Sequence, residues 1–253
     1  GLSINGCKSI VEMQFADFVT CGFNQIVNNL AKAHYRWGQH ADVVVRMPTG
    51  AGVGAGPFHS QSTEAWFFHV PGLKIVYPAF PEDAKGLLAA AIEDPNPYLF
   101  FEHKALYRSI TGPVPDDYYT TPVGKARRVR EGADISIITY GLGVHWALEY
   151  LDKHPEVSAD LIDLRTLLPW DRESVLESVK KTGKVIVMHE DTFTGGIGGE
   201  IASCIAEHCF PYLDAAPVRI GALDTPVPMS SALEWSFLPK ARFEKALTEL
   251  LAF

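Results

Sequence analysis

Side chains able to move protons or hold ligands fall in three places. The first is residues 46–62, RMPTGAGVGAGPFHSQS, where Gly50, Gly52, Gly54 and Gly56 precede His59. Glycines at that density let the backbone take positive φ or approach another group closely. An imidazole of ordinary pKa about 6.5 at the exit of such a loop can give or take a proton at a ligand. The same residues also suit a surface loop whose histidine bonds backbone. The second place is Ala91-Ile92-Glu93-Asp94-Pro95-Asn96-Pro97, where a helix runs out. Free carbonyls there, with the Asp94 and Asn96 oxygens, suit a hard or alkali cation, or simply a capped turn. The third is His189-Glu190-Asp191 with the glycines at 195, 196, 198 and 199 after it. At the end of a strand and beside a glycine-rich helix start, it suits a ligand, a partner or a subunit interface.

Several other chemistries fail on spacing. Neither glycine cluster spells G-x-G-x-x-G, because the third glycine would fall at Pro57 or at Ile201. Gly183-Lys184 is followed by Val185, which excludes a P-loop, and Phe193 stands where a zincin helix needs its second histidine. No G-x-S-x-G elbow occurs, and histidines and cysteines lack zinc-ligand spacing.

The elements that must carry these groups follow from periodicity. Val43-Val44-Val45 predicts a buried strand feeding the glycine loop. Before it, 9–15 reads as a strand and 16–37 as a helix, with Val19, Phe23, Ile26, Val27 and Leu30 on one face and Gly38 as its stop. After the loop come a helix over 63–70, a strand over 73–77, a helix over 81–92 begun by Pro81 and two acids, and a strand over 98–101. Buried runs without alternation predict a mostly parallel sheet covered by helices. Residues 111–122, TGPVPDDYYTTP, read as a linker. The pattern then restarts: strand 135–140, a helix to about 154, strand 159–164, a helix capped by Asp171 and stopped by Gly183, strand 184–188, a helix to about 210, strand 218–223 and a helix over 239–251. The expected class is α/β, with two open, mostly parallel-sheet domains over 1–115 and 123–253.

Composition agrees. The 253 residues are 47% hydrophobic and 21% charged, with net charge −8, pI about 5.6 and mean hydropathy +0.04. That is globular protein with enough apolar material for a core. No long basic run exists, Arg127-Arg128-Val129-Arg130 being short, which argues against nucleic acid as a partner. No apolar run reaches the roughly 20 residues of a membrane helix, and no secretory leader is visible. Cys204 and Cys209 sit in an apolar helical pattern and read as free thiols of a reducing compartment. The opening Gly1-Leu2-Ser3-Ile4-Asn5-Gly6 carries no methionine, so the expectation is a chain with sequence upstream.

Taken together, these residues resemble the β subunit of thiamine-diphosphate-dependent 2-oxo acid dehydrogenases over nearly the whole chain. The resemblance rests on Val11-Glu12-Met13-Gln14-Phe15-Ala16-Asp17-Phe18, Arg46-Met47-Pro48 with the glycine loop, His59-Ser60-Gln61-Ser62, Asp83-Ala84-Lys85-Gly86-Leu87-Leu88, Leu106-Tyr107-Arg108 and the run from Asp163 through Leu164-Arg165-Thr166-Leu167-Leu168-Pro169-Trp170 to Asp171. It implies a transketolase-like pyrimidine-binding domain followed by a transketolase C-terminal domain. It further implies that Phe18 packs on the aminopyrimidine of thiamine diphosphate and that His59 supplies protons in decarboxylation or lipoyl acylation. A structural potassium ion would be held by the carbonyls of Ala41, Val43, Val44 and Ala91 with Asp94 and Asn96. The diphosphate and its magnesium would belong to an α subunit or fused α half, and the family's pyrimidine-protonating glutamate would lie upstream of residue 1. The implied partners are that α part, a lipoyl-bearing acyltransferase and a small 2-oxo acid, in an α2β2 heterotetramer or a dimer of fused chains. The implied compartment is the cytoplasm for a bacterial source or the mitochondrial matrix for a eukaryotic one. His59-Ser60-Gln61-Ser62 and Leu168-Pro169-Trp170-Asp171 resemble the branched-chain type more closely than the pyruvate type. A pyruvate dehydrogenase, a transketolase-like carboligase and a non-catalytic assembly subunit are the alternatives.

Overall fold

In the computed structural model, which describes residues 1–253, the apolar runs become strands at the places their patterning dictates. The first half forms β1 (Ser9–Glu12), β2 (Val43–Thr49), β3 (Lys74–Val76) and β4 (Tyr98–His103). The second forms β5 (Arg127–Arg130), β6 (Ile135–Thr139), β7 (Ala159–Asp163), β8 (Thr166–Leu168), β9 (Val185–Thr192) and β10 (Val218–Ala222). One sheet runs β1-β2-β4-β3-β8 and the other β10-β9-β6-β7-β5, each parallel except at one edge, where β8 and β5 pair antiparallel. Every residue of β4, β6 and β7 is buried, as continuous apolar strands covered on both faces require.

Nine α-helices accompany them: α1 (Ala33–Trp37), α2 (Ala65–Phe68), α3 (Pro81–Glu93), α4 (Leu106–Ser109), α5 (Leu142–Lys153), α6 (Arg172–Thr182), α7 (Gly198–Cys209), α8 (Ser231–Phe237) and α9 (Lys240–Leu251). Asp171 caps α6 by accepting the Ser174 N–H at 3.2 Å, and Gly183 ends it at φ 69°, as the sequence predicts. No helix is long and apolar enough to cross a membrane.

Two expectations need correction, and a third gains detail. The predicted helix over 16–37 does not form as one helix: its hydrogen bonding changes along the way, and a turn at 31–32 interrupts it. A 3₁₀ segment (Ala16–Gly22) gives way to a π segment (Gln25–Leu30) and then to α1. Val19, Thr20, Gly22, Asn24, Asn28 and Asn29 are weak formers of a regular α-helix, so packing of Val19 and Ile26 into the core decides the local geometry. The helix over 63–70 shrinks to α2. The segment 111–122 is strapped down: the Thr121 N–H donates to the Gly86 carbonyl at 3.0 Å and the Tyr119 hydroxyl to the Glu82 carbonyl at 2.8 Å. Gly86 permits this, because a Cβ there would stand 2.2 Å from Thr121 Oγ1.

Four elements were missed, the first being the short helix α4 after β4. β5 is the Arg127–Arg130 cluster, whose charges at an edge hide its strand character. α8 begins within a Pro/Ser-rich stretch, and β8 is only three residues long. β8 has the larger consequence. It follows 123 in sequence yet completes the first sheet, with Ile75 opposite Leu168 and Val76 opposite Thr166. One hydrophobic core accordingly runs through both halves, joining Val45, Met47, Phe67 and Ile75 to Ile138, Leu164, Leu167, Val187 and Ile201. A second core, under the other face of the second sheet, packs Ile137, Leu161 and Met188 against α5 and α9.

Candidate active site

β2 and β4 pair in register from Val44–Tyr98 to Thr49–His103, so their carboxyl ends finish side by side. There the chain turns into the glycine loop. Gly50 takes φ +96°, and a Cβ on it would lie 2.1 Å from His103 Nε2, so no other residue passes. The loop's amides are then spent on carboxylates from the second half. Ala51 N–H donates to Glu190 Oε1 at 2.6 Å, while Gly52 and Gly54 donate to Glu234 at 2.9 and 3.2 Å. Lys104 Nζ donates to the Gly50 carbonyl at 2.9 Å, and burial holds its pKa below the ordinary lysine value. His103 Nδ1 accepts the Ala105 N–H, which leaves the ring proton on Nε2, and that proton is donated to Glu190 Oε2 at 2.7 Å.

His59 leaves this loop exposed to solvent. Its ring lies edge to face with Phe18, centroids 5.4 Å apart at 80°, and with Phe15 at 5.9 Å and 74°. These are favourable aromatic geometries. Phe18 keeps 40% of its surface open. The structure thus brings Phe18 and His59, 41 positions apart in the chain, into one open aromatic corner. Two contacts behind the corner were not anticipated. Asp17, 6% exposed, accepts both the Gln61 N–H and Gln61 Nε2–H at 3.0 Å, and Thr49 Oγ1 donates to the Gln61 carbonyl at 2.8 Å. Asp17 stood next to Phe18 in the quoted motif, but nothing in its spacing pointed to residue 61.

The third candidate place is interior. Glu64, Glu190 and Asp191 are buried together where the two halves meet. Desolvation and the neighbouring acids push the Glu64 carboxyl far above the usual range, and Tyr140 donates its hydroxyl to Glu64 Oε1 at 2.8 Å. Burial chiefly, with the neighbouring Glu190, raises Asp191 to about 6. Burial lowers His189 to about 4, so it is neutral, with Nδ1–H donating to the Asp191 carbonyl at 3.0 Å. The glycines after it serve that ring: a Cβ on Gly196 or Gly198 would lie 2.2 or 2.6 Å from the imidazole. They make room for His189.

At the expected cation place the segments converge, since Val44 pairs with Tyr98 just beyond Asn96. Lysines already supply positive charge there. Asp94 takes Lys74 Nζ and the Tyr98 hydroxyl on one oxygen and both Asn96 donors on the other. Lys8 Nζ donates to the Asp94 carbonyl at 3.0 Å and pairs with the Asp42 carboxylate. Ala41 gives its carbonyl to the Val43 N–H at 3.0 Å. Both side-chain oxygens of Asp94 are therefore engaged, whereas Asn96 Oδ1 accepts no hydrogen bond.

Two cavities lie nearby. One of about 630 Å3 opens between Gln14, Phe15, Pro48, Val53 and Lys104, on the Phe15 side of the aromatic corner. Another of about 390 Å3, under the start of α3, contains neither Phe18 nor His59. Arg46 stands between them, bidentate to Glu102 at 2.7 Å and bonded to Glu12 at 2.7 Å.

Two family profiles match the chain: "Transketolase, pyrimidine binding domain" over residues 1–109 and "Transketolase, C-terminal domain" over 124–242. Among solved structures, a split-gene transketolase described as an inactive β4 tetramer matches with TM-score 0.74 over 97% of this chain and 75% of that one, at 23% identity, a likeness of fold. The 2-oxoisovalerate dehydrogenase subunit beta of Bacillus subtilis (strain 168) is 47% identical across the whole chain, which covers 79% of that protein. The mitochondrial subunit beta 2 of Arabidopsis thaliana is also 47% identical over 90% of the chain, which spans 65% of that relative. A pyruvate dehydrogenase E1 component subunit beta from Mycoplasma pneumoniae is 40% identical over 99% of the chain and 78% of its own length. With two transketolase-type domains around a Phe18–His59 corner and such identity over its whole length, the chain belongs to the β-subunit family of the 2-oxo acid dehydrogenases.

Proposed function

We propose that this chain is the β part of a decarboxylating enzyme that acts on a branched-chain 2-oxo acid and passes the acyl group to the lipoyl group of an acyltransferase. The observation that carries this reading is the open Phe18–His59 corner; the branched-chain preference is supported by the names of the most similar relatives.

The residues present fit the pyrimidine end of thiamine diphosphate. Phe18 offers a half-open aromatic face, and His59 stands edge-on to it with solvent access. They do not fit the diphosphate end. Three amides of the glycine loop, those of Ala51, Gly52 and Gly54, are already committed to Glu190 or Glu234. That division supports an α partner, or a fused α half, as the holder of the diphosphate and Mg2+, in an α2β2 assembly or a dimer of fused chains. When bound, the cofactor supplies the electron sink for loss of carbon dioxide. This chain's residues orient and protonate: Phe18 sets the plane of the ring, His59 holds or delivers a proton, and Glu190 and Glu234 fix the loop that carries His59.

Two finer readings belong with this. The strapped segment 111–122 separates domains over 1–115 and 123–253, with β8 as an exchanged strand. A potassium site at the carbonyls of Ala41, Val43, Val44 and Ala91 with Asp94 and Asn96 would share Asp94 with Lys74 and draw on Asn96 Oδ1. A higher melting midpoint in potassium than in tetramethylammonium buffer is the expected result, and equal midpoints would leave the lysines as the only cations there.

The test of function uses the complete enzyme with its α partner. Decarboxylation of pyruvate, 2-oxobutyrate and 2-oxoisovalerate is followed with and without thiamine diphosphate, using an artificial electron acceptor. Cofactor-dependent turnover that favours 2-oxoisovalerate is expected. A preference for pyruvate would move the chain to the reading that the Mycoplasma pneumoniae relative favours. Bound cofactor without turnover on any of the three would end the oxidative reading.

A further inference from the structure

We infer that Asp17 is a positioning residue that sets the Phe18–His59 geometry, an inference that rests on the functional reading above only for its effect on turnover. Phe18 and His59 reach the corner from separate segments, and no hydrogen bond joins their side chains. The link is one residue behind Phe18 and two beyond His59. A single carboxylate oxygen, Asp17 Oδ1, receives two donors of Gln61, the backbone N–H and the side-chain Nε2–H, both at 3.0 Å. The clamp is specific in its chemistry. One oxygen accepting two parallel donors fixes the Gln61 backbone in orientation as well as distance, and bonds to a charged acceptor are shorter and stronger than neutral ones.

The surroundings make the clamp rigid. Asp17 is 6% exposed and sits in the 3₁₀ segment between Ala16 and Val19, both fully buried in the shared core. Gln61 is held from its other side by Thr49 Oγ1 on its carbonyl, and Thr49 is anchored in β2. The strand, the loop exit and the aromatic segment are thus tied at one residue pair, while His59 and Phe18 themselves stay open to solvent. Asp17 Oδ2 is buried without a hydrogen-bond partner. A carboxylate kept in such a place costs desolvation, offset by the two Gln61 donors and by the charge of nearby Lys104.

The test uses Asp17→Ala, Asp17→Asn and Gln61→Glu in the complete enzyme. Two readouts are taken: amide hydrogen exchange of the peptide covering 58–62, measured by mass spectrometry without substrate, and turnover on the best 2-oxo acid. Asp17→Ala should speed exchange of that peptide about tenfold and lower turnover by a similar factor. Asp17→Asn keeps an acceptor oxygen in the same place and should restore both to within about threefold. Gln61→Glu sets carboxylate against carboxylate and should match Asp17→Ala. If Asp17→Ala fails to fold, the contrast between Asp17→Asn and Gln61→Glu decides in the same way. Unchanged exchange in Asp17→Ala or Gln61→Glu would overturn the proposal, as would an Asp17→Asn protein as impaired as Asp17→Ala. An unmutated enzyme inactive on every 2-oxo acid would overturn the functional reading, and the exchange results would still decide the role of Asp17.

Discussion

His59 is held by ring edges and left free to exchange protons, which is what a proton donor at a second molecule needs. In the complete enzyme, His59→Ala should lower acyl transfer to lipoyl by about 100-fold, the scale of general acid–base catalysis. Affinity for thiamine diphosphate, measured by titration, should stay within a few-fold. Near-normal acyl transfer would remove His59 from the chemistry. Asp163 makes a prediction of another kind. It is fully buried, and desolvation chiefly raises its carboxyl to about 8, although it accepts the Arg165 N–H at 3.0 Å. The native state therefore keeps a proton that the unfolded chain releases near its ordinary value of about 3.9. Between those values the native state binds more protons, so its contribution to stability is present at low pH and is lost as pH rises toward 8. Asp191, raised to about 6, acts with the same sign. The urea midpoint should fall between pH 5 and pH 8, and Asp163→Asn should reduce that fall. An equal fall in both proteins would show that Asp163 is ionised in the native state.

Among the elements, the glycine loop is the case where sequence went furthest and then stopped. Its flanking strand and its positive-φ glycines were legible because Val43-Val44-Val45 and the glycine spacing are local signals. What the glycines serve was not legible, since Glu190 and Glu234 lie far along the chain and carry no mark of their target. The same holds for Gly196 and Gly198, which make room for a histidine ring. The broken helix over 16–37 is a tertiary override of a period that read as regular. Phe18 was legible only through resemblance, whereas His59 stood out by its place at the loop exit. Glu234→Ala removes the acceptor for two loop amides and should cost about 1–3 kcal/mol, with faster amide exchange confined to residues 52–56; protection there equal to the parent protein would show the loop holds itself. Gly196→Ala adds a methyl 2.2 Å from His189 Cε1 at a glycine that needs no positive φ. With the Thr192 carbonyl 2.6 Å away as well, it should cost about 1–3 kcal/mol by overpacking alone, read as a lower melting midpoint, and an unaltered midpoint would mean that both the ring and that carbonyl can yield.

For the whole molecule, β8, the Tyr140–Glu64 bond, the His103–Glu190 bond and Arg165, which joins Asp83 to the Lys125 carbonyl, all cross between the halves. With one core running through both, the halves should melt together. Calorimetry should give one transition whose calorimetric and van't Hoff enthalpies agree, and Leu167→Ala, at a fully buried position of that core, should shift the whole transition by about 2–5 kcal/mol. Two separate transitions would mean the shared core does not couple them. The exchanged strand also bears on how the protein is made. During synthesis the first sheet has its four parallel strands early, but the edge of β3 waits for β8, about ninety residues later. At roughly 5–20 residues per second, the ribosome leaves that edge bare for about 5–20 s, an interval in which another nascent chain or a chaperone can reach it before the polypeptide's own second half does.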